Sequence, residues 1–116
     1  MKVSKEQLFI RLAELDWEYP APGIRRKVTA FGDDLMTVYV EFSKGAIGAL
    51  HHHPHRQISY IQSGSFLVHI GDRTETLGAG DHYYIPRDVV HGVEALEDSV
   101  LLDVFTPVRE DFIPKP

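Results

Sequence analysis

The sequence contains no cysteine. Disulfide bonds and thiolate metal ligands are therefore excluded, which suits an intracellular protein, and we take the cytoplasm as the expected location. The opening segment, MKVSKEQLFIRLAELDW, interrupts its apolar residues with Arg11, Glu14 and Asp16. A secretory signal peptide requires an unbroken apolar stretch, so this segment does not have the pattern of one.

Positive charge is also scarce. The chain has 12 Lys and Arg residues against 17 Asp and Glu residues, a formal net charge of -5. Nucleic-acid binding requires a broad basic surface, so we expect no nucleic-acid partner, and an anionic ligand would be held by a few local arginines. No apolar run has the length of a membrane span, so no membrane partner is expected either.

Short runs of Val, Ile, Phe, Tyr and Thr alternate with Gly, Asp and Pro over most of the chain, which is typical of an all-β sandwich or barrel. The 116 residues are enough for one domain. We therefore predict a single domain over residues 1–116, with an N-terminal arm at 1–23, a barrel at 24–105 and a C-terminal tail at 106–116. The predicted strands are Ile24–Phe31, Leu35–Phe42, Ala49–His53, Gln57–Gln62, Ser65–Ile70, Arg73–Leu77, His82–Ile85, Val90–Ala95 and Ser99–Phe105.

Turns and terminal segments follow from Gly, Asp and Pro. Gly32-Asp33-Asp34 and Gly71-Asp72 predict hairpin turns, and Gly64 predicts a further turn. The arm has both helical and alternating spacing, and we expect it to be extended with at most one helical turn. The arm ends at Pro20, Pro22 and Gly23. Prolines also keep the tail irregular, and these are Pro107, Pro114 and Pro116.

Four of the seven histidines lie in the run HHHPHRQ, which begins at His51 and ends at Gln57. Residues two apart on a strand share a face, so His51 and His53 can offer two imidazoles to one ion. After a turn at Pro54, Gln57 can add an oxygen ligand. Such a cluster can instead be a solvated loop or an expression tag, but a tag would lie at a terminus and would lack Pro54 and the flanking strands. The pattern favours metal binding.

A second segment, GDHYYIPRDVVHG, ends with His91 at the start of a predicted strand. Alone, a histidine between valines is more often a packed core residue, and Gln57 could be a simple hydrogen-bonding strand residue. Together with the first segment, however, they predict four ligands around one divalent transition metal, which could be Ni, Zn, Fe, Co or Mn. We predict that the remaining histidines are surface or packing residues, with His55 nearest to the ligands, and they are His52, His55, His69 and His82.

The predicted final strand carries a charge inside an apolar run, LLDVF. Asp103 shares a face with Leu101 and Phe105, so if that face lines the barrel its pKa would rise towards the range of a general acid or base. Asp103 could equally be paired for purely structural reasons. Arg109 could bind a substrate carboxylate through its forked guanidinium, or it could be a surface residue.

These segments resemble the two motifs of the cupin superfamily, G-x5-H-x-H-x3-E-x6-G and G-x5-P-x-G-x2-H-x3-N. The first matches from Gly45 to Gly64, with Gln57 at the glutamate position. The second matches from Gly80 through Pro86 to His91, with aspartate at its second glycine and alanine at its asparagine. The resemblance implies a jelly-roll barrel, a double-stranded β-helix, that holds one metal ion inside. A neutral amide in place of a carboxylate would sharpen the Lewis acidity of that ion.

The run HHHPH-x-Q and the final segment DVFTPVREDF resemble a narrower group, the cupins of pectin and alginate breakdown that convert 4,5-unsaturated monouronates to linear keto sugars. That resemblance implies a metal bound by three histidines and a glutamine. It also implies that Asp103 moves a proton, Phe105 packs on the sugar and Arg109 holds the acid. Arg56 departs from the acidic residue usual in that group.

Three hypotheses follow. The first is a metal-dependent isomerase or lyase-like enzyme acting on a small anionic sugar. The second is a metal-dependent dioxygenase or lyase with the same barrel and ligands, and the third is a non-catalytic binder of a sugar or another small molecule. We favour the uronate enzyme, and we expect the protein to be a homodimer.

Overall fold

Two antiparallel sheets face each other across a shared interior, and the computed structural model describes them within residues 1–113. The six-stranded sheet has the order β1-β2-β3-β10-β5-β8, and the four-stranded sheet has the order β4-β9-β6-β7. Single-turn 3-10 helices occur at Leu12–Glu14 and Glu110–Phe112. The strands are β1 Glu18–Ala21, β2 Ile24–Phe31, β3 Met36–Phe42, β4 Ile47–His51, β5 Arg56–Ser63, β6 Ser65–Ile70, β7 Arg73–Gly78, β8 His82–Ile85, β9 His91–Ala95 and β10 Ser99–Thr106.

The structure confirms the all-β prediction and places a strand at each of the nine predicted positions. The extended arm with one helical turn at Leu12–Glu14 agrees with the prediction, but its last residues form a strand that was not predicted, β1. It lies at the edge of the six-stranded sheet, where a strand can contain Pro20 because one row of its backbone groups needs no partner. The tail also differs, because it contains the turn at Glu110–Phe112. The predictions for Pro114 and Pro116 lie outside the described residues.

The core lies between the sheets, where inward-facing residues alternate with outward ones. Along β3 this alternation is complete, since Met36, Val38, Val40 and Phe42 are buried and the three residues between them are not. From the opposite sheet Phe66 meets the ring of Phe42 edge to face, with ring centroids 5.0 Å apart. Edge-to-face pairs add to the stabilisation that burial provides, so this contact joins the two sheets.

The N-terminal arm packs on the outer surface of β2 and β3. Trp17 lies against Tyr39 at 6.1 Å between ring centroids, and the guanidinium of Arg25 stacks on its indole at 3.9 Å. Buried Val3 and Leu15 fix the rest of the arm. Within residues 1–113, no helix is both long and apolar enough to cross a membrane.

Candidate functional site

Three histidine rings meet at one end of the space between the sheets. His51 ends β4 and pairs across the sheet with His91, the first residue of β9. The ring of His53 completes the group, with centroids 4.8 Å from His91 and 5.5 Å from His51. One potential ligand atom from each ring lies within 4.8 Å of the other two. A metal held at about 2.0–2.2 Å from each nitrogen needs separations of this order, so the three rings are positioned to bind one ion.

The predicted strand Ala49–His53 is wrong at its end. The prediction that His51 and His53 approach each other because they share one face of that strand is therefore wrong as well. The strand stops at His51, and an irregularity interrupts its pairing between Gly48 and His51. His53 reaches the site from the following loop, where its carbonyl oxygen accepts a hydrogen bond from the backbone N–H of Asp88 at 2.8 Å. Asp88 has a φ of 59°, a left-handed conformation that suits the glycine of the second cupin motif and that aspartate tolerates.

Each of the three rings is oriented by the main chain. Its Nδ1 faces the carbonyl oxygen of a residue two positions away, at 2.8 Å for His51, 3.1 Å for His53 and 2.9 Å for His91. Because a carbonyl oxygen only accepts, each Nδ1 carries the proton and donates it. In a neutral ring held this way, Nε2 has a free lone pair, the form in which imidazole binds a metal.

Gln57 adds a fourth donor whose orientation is fixed. Its amide nitrogen donates to Ser59 Oγ at 2.9 Å and to Asp103 Oδ1 at 3.4 Å, so its Oε1 must point the other way. That oxygen lies 3.2 Å from Nε2 of His53. Since this nitrogen has no proton, two lone pairs face each other, an arrangement that a shared cation would stabilise. The buried Nε2 of His91 likewise has no hydrogen-bond partner among residues 1–113.

The electrostatics keep the buried rings neutral. Burial lowers the pKa of His91 to about 4, although the Val89 carbonyl opposes the shift. Burial also lowers the pKa of His53, and the nearby charge of Arg109 acts in the same direction. Both rings are therefore uncharged at neutral pH, as metal coordination requires.

Asp103 lies beside these donors on β10, opposite Ser59 of β5. The Ser59 hydroxyl donates to Asp103 Oδ1 at 2.6 Å, the same oxygen that accepts from Gln57. Burial raises the pKa of Asp103 to about 6, while the Ser59 hydrogen bond and the charge of Arg109 oppose the rise. A carboxyl group with this pKa can both accept and release a proton near neutral pH.

Six of the seven predicted site residues line one cavity. Its volume is about 340 Å³, and it lies between the sheets next to the histidine rings. His53 is buried and does not line the cavity, but its ring packs against that of Phe105 at a steep angle, with 5.8 Å between centroids. The structure thus brings together all seven predicted site residues, although their roles as ligands or catalytic groups stay predictions. The six that line the cavity itself are His51, Gln57, His91, Asp103, Phe105 and Arg109.

Arg109 is a pocket residue in this structure, and its side chain is only 11% exposed. Its guanidinium carbon lies 4.1 Å from the ring centroid of Phe112 and 5.2 Å from that of Phe105. Two of its nitrogens donate to the carboxylate of Asp111, at 3.1 Å and 2.8 Å. The alternative that Arg109 is a simple surface residue is therefore wrong.

Sequence reasoning missed three residues at this site, which are Ser59, Arg26 and Phe112. Ser59 could have been found, because it lies between Gln57 and Ile61 on the inward face of β5. Arg26 gave no such signal, since it is one of three consecutive basic residues.

His55 connects the histidine loop to the segment that carries Arg109. Its ring contacts that of His53 at 5.4 Å between centroids, and its Nε2 lies 3.1 Å from the carbonyl oxygen of Val108.

Comparison with known proteins agrees with this architecture. Residues 38–105 match the family described as the cupin domain. The chain belongs to the cupin family. This cupin is 47% identical over 102 residues to the pectin degradation protein KdgF of Dickeya dadantii (strain 3937), a match that covers 86% of this chain and 93% of that protein.

Two solved structures extend the comparison. An RmlC-like cupin from Shewanella frigidimarina NCIMB 400 superposes with a TM-score of 0.91 at 34% identity, covering 96% of this chain and all of the other. KdgF from Halomonas sp. superposes with a TM-score of 0.87 at 41% identity, covering 90% of this chain and 97% of the other. The predicted cupin jelly-roll is therefore confirmed, and so is the resemblance to cupins of pectin degradation.

Proposed function

We propose that this cupin converts 4,5-unsaturated monouronates to linear keto sugars, using one divalent transition metal held by three histidines and Gln57. The proposal is supported by the 47% identity to a pectin degradation protein over most of both chains. It is supported equally by a site that combines three imidazoles and an amide with one partly buried carboxyl group. The cytoplasmic location and the homodimer stay predictions from the sequence.

The observation that carries the proposal is the shared cavity. Ligand-type side chains, a carboxyl group with a pKa near 6 and an arginine all line one space of about 340 Å³. A protein that only binds a sugar acid would need the arginine and the shape of the cavity. It would have no use for a partly buried carboxyl group that exchanges a proton near neutral pH. The combination favours an enzyme over a non-catalytic binder.

The four donors are suited to the metal, because they lie close together and imidazole and amide groups bind a metal in their neutral forms. A divalent ion bound there would supply Lewis acidity towards an oxygen of the substrate. With Gln57 in place of a carboxylate, the ligands leave the double charge of such an ion uncompensated. The electrostatics of the site therefore favour an anionic substrate.

The reaction needs one proton to be moved and no atom to be gained or lost. The proton leaves the anomeric hydroxyl group as the bond between the anomeric carbon and the ring oxygen breaks, and the ring oxygen becomes an enolate. That enolate takes up one proton at carbon 4 and becomes a ketone. Asp103 is the group placed for this transfer. Both of its described hydrogen bonds are accepted by Oδ1, so Oδ2 is the oxygen open to the substrate. Phe105 offers a ring face for the sugar, and Arg109 provides positive charge for the acid.

The test is turnover of a 4,5-unsaturated monouronate by metal-loaded protein, followed by loss of absorbance of its double bond. Asp103→Asn should lower kcat by roughly 10²–10⁴-fold, because it removes a general acid–base group. Substrate affinity and metal content should be retained. Asp34→Asn is the matched control, since Asp34 is exposed in the turn between β2 and β3. Absence of turnover on unsaturated monouronates from both pectin and alginate would contradict the proposal.

A further inference from the structure

Two arginines adjacent in the sequence have opposite environments on β2. Arg25 points outward, where it stacks on Trp17 and forms an ion pair with Glu41. Arg26 points inward and lines the same cavity as the histidines and Asp103. Its side chain is only 21% exposed. A charge placed in a partly enclosed cavity has a desolvation cost, so its position calls for a partner or a ligand.

Arg26 and Arg109 stack on the same aromatic ring. The guanidinium carbon of Arg26 lies 3.9 Å from the ring centroid of Phe112, and that of Arg109 lies 4.1 Å from it. Phe112 thus holds two positive groups at the wall of one cavity. A cation over an aromatic face is stabilised without using its N–H donors, which stay available for hydrogen bonds.

The two guanidinium groups differ in how many donors they have left. Arg109 donates from Nε and from one terminal nitrogen to the carboxylate of Asp111, so that side of its guanidinium group is occupied. Arg26 donates only its Nε, to Glu18 at 3.0 Å. Among the hydrogen bonds of residues 1–113, none uses the terminal nitrogens of Arg26. Arg26 therefore has the more open edge for an incoming anion.

The charge of the cavity lining favours such an anion. Arg26 and Arg109 are its two cationic side chains, against the single carboxyl group of Asp103. The glutamate and aspartate that pair with the arginines do not line it. A bound divalent cation would increase the positive excess further.

We propose that Arg26 is a second carboxylate-binding residue of this site, and that it selects a sugar acid over a neutral sugar. The inference rests on the proposed function and deepens it, because it names the group that recognises the acid of the substrate. Charge-assisted hydrogen bonds from a planar guanidinium match the geometry of a carboxylate. Arg26 is a binding residue in this account and takes no part in moving the proton.

The experiment compares Arg26→Gln with Arg25→Gln. Each variant removes one positive charge from the same strand, so long-range electrostatic effects are matched. Binding of D-glucuronate and D-glucose to metal-loaded protein is measured by calorimetry, together with KM and kcat on the unsaturated monouronate. Arg26→Gln should weaken glucuronate binding and raise KM by roughly 10–100-fold, leaving glucose binding and kcat nearly unchanged. Arg25→Gln should stay within about twofold of the parent protein in each measurement.

A third variant separates binding from a structural role. Glu18→Gln breaks the same ion pair but leaves the guanidinium of Arg26 in the cavity. If Arg26 served only to tie β1 to β2, both variants would weaken glucuronate binding alike, which would overturn the inference. A binding role requires Glu18→Gln to bind glucuronate at least as tightly as the parent protein does.

The remaining outcomes are also decisive. If the parent protein turns over the uronate and Arg26→Gln keeps its KM and its glucuronate affinity, the inference fails and the proposed function stands. If the parent protein turns over no uronate but Arg26→Gln weakens glucuronate binding, the proposed function fails and Arg26 keeps its role. If Arg26→Gln does not fold, Arg26→Lys decides, because it keeps the charge and loses the fork. An unchanged glucuronate affinity in Arg26→Lys would then contradict the inference.

Discussion

The two ends of the space between the sheets are built by the same strands and have opposite chemistry. At one end β5 contributes Gln57 and Ser59 to a polar, hydrogen-bonded group that includes Asp103 of β10. Two residues away on each strand, Ile61 follows Ser59 and Leu101 precedes Asp103, and both belong to the buried hydrophobic core. Sheet alternation therefore determines which residues face inward, and the sequence at those positions determines whether that region is a core or a site.

The comparison shows how the polar end is supported. Buried polar groups and the partly buried carboxyl group of Asp103 reduce stability unless other regions compensate. The apolar end provides this compensation through Phe42 and Phe66, whose rings pack edge to face at 5.0 Å. If this division is correct, substitutions at the polar end should change metal binding and turnover, and substitutions at the apolar end should change the free energy of unfolding.

The largest effect is expected at the polar end. His51→Ala with His53→Ala should abolish metal binding, because it removes two of the four donors, while the sheets remain formed. Elemental analysis of the purified protein and circular dichroism measure the two properties. His52→Ala with His82→Ala is the control, since both residues are exposed and the same number of imidazoles is removed. Full metal content in the first variant would show that the ion lies elsewhere.

At the apolar end, Phe66→Ala should lower the free energy of unfolding by about 3–5 kcal/mol, because it leaves a cavity at the contact between the sheets. Metal stoichiometry of the protein that remains folded should not change. Chemical denaturation measures the first effect, and Phe9→Ala serves as the control because Phe9 is 86% exposed. A folded Phe66→Ala protein that had lost its metal would break the proposed separation of the two ends.

Asp103, at the polar end, should make the stability of the metal-free protein depend on pH. In metal-free protein its pKa of about 6 lies above the ordinary value of 3.8, so between these values the folded state retains a proton that the unfolded state releases. Its contribution to stability therefore falls as the pH rises through this window. Asp103→Asn should be more stable than the parent protein by up to roughly 3 kcal/mol at pH 7.5, and this gain should disappear near pH 4.

Melting curves of both metal-free proteins at the two pH values measure this difference. Asp34→Asn, an exposed control, should show no change at either pH. An equal gain at pH 7.5 and pH 4 would mean that Asp103 does not titrate in this range.

The smallest expected effect concerns the identity of the fourth donor. Gln57→Glu should retain the metal but lower turnover, because a carboxylate ligand reduces the Lewis acidity of the ion, and it should move the pH profile upwards. In the parent protein the amide nitrogen of Gln57 lies 3.4 Å from Asp103 Oδ1. A carboxylate at position 57 would therefore lie next to Asp103, and its negative charge would raise the pKa of Asp103. Kinetics across a pH range measure the shift. Gln62→Glu makes the same change at an exposed position of β5 and should behave as the parent protein does.

Much of the fold could be predicted because turn residues and alternating apolar positions mark its strands. Ser65–Ile70 and His82–Ile85 were predicted with the bounds that the structure has. β1 was missed because Pro20 argues against a strand in the interior of a sheet, and only its edge position allows it. That position depends on the order of strands across the sheet, which no local pattern encodes.

The site was predicted in part for the wrong physical reason. Motif spacing found the residues that converge, but His53 reaches the site from a loop and not along the strand face of His51. Arg26 could not be found, because a run of three basic residues does not show which of them points inward. An irregularity further along β2 also breaks the simple alternation. The partner that fixes Asp103, the hydroxyl of Ser59, depends on the pairing register of β5 and β10.

The most direct test of the central claim is anomalous diffraction from crystals of protein loaded with zinc or nickel. We expect one strong peak within about 2.0–2.2 Å of Nε2 of His51, His53 and His91, with Oε1 of Gln57 as the fourth protein ligand. A fully loaded crystal whose peaks lie only at exposed histidines such as His52 or His82 would contradict it.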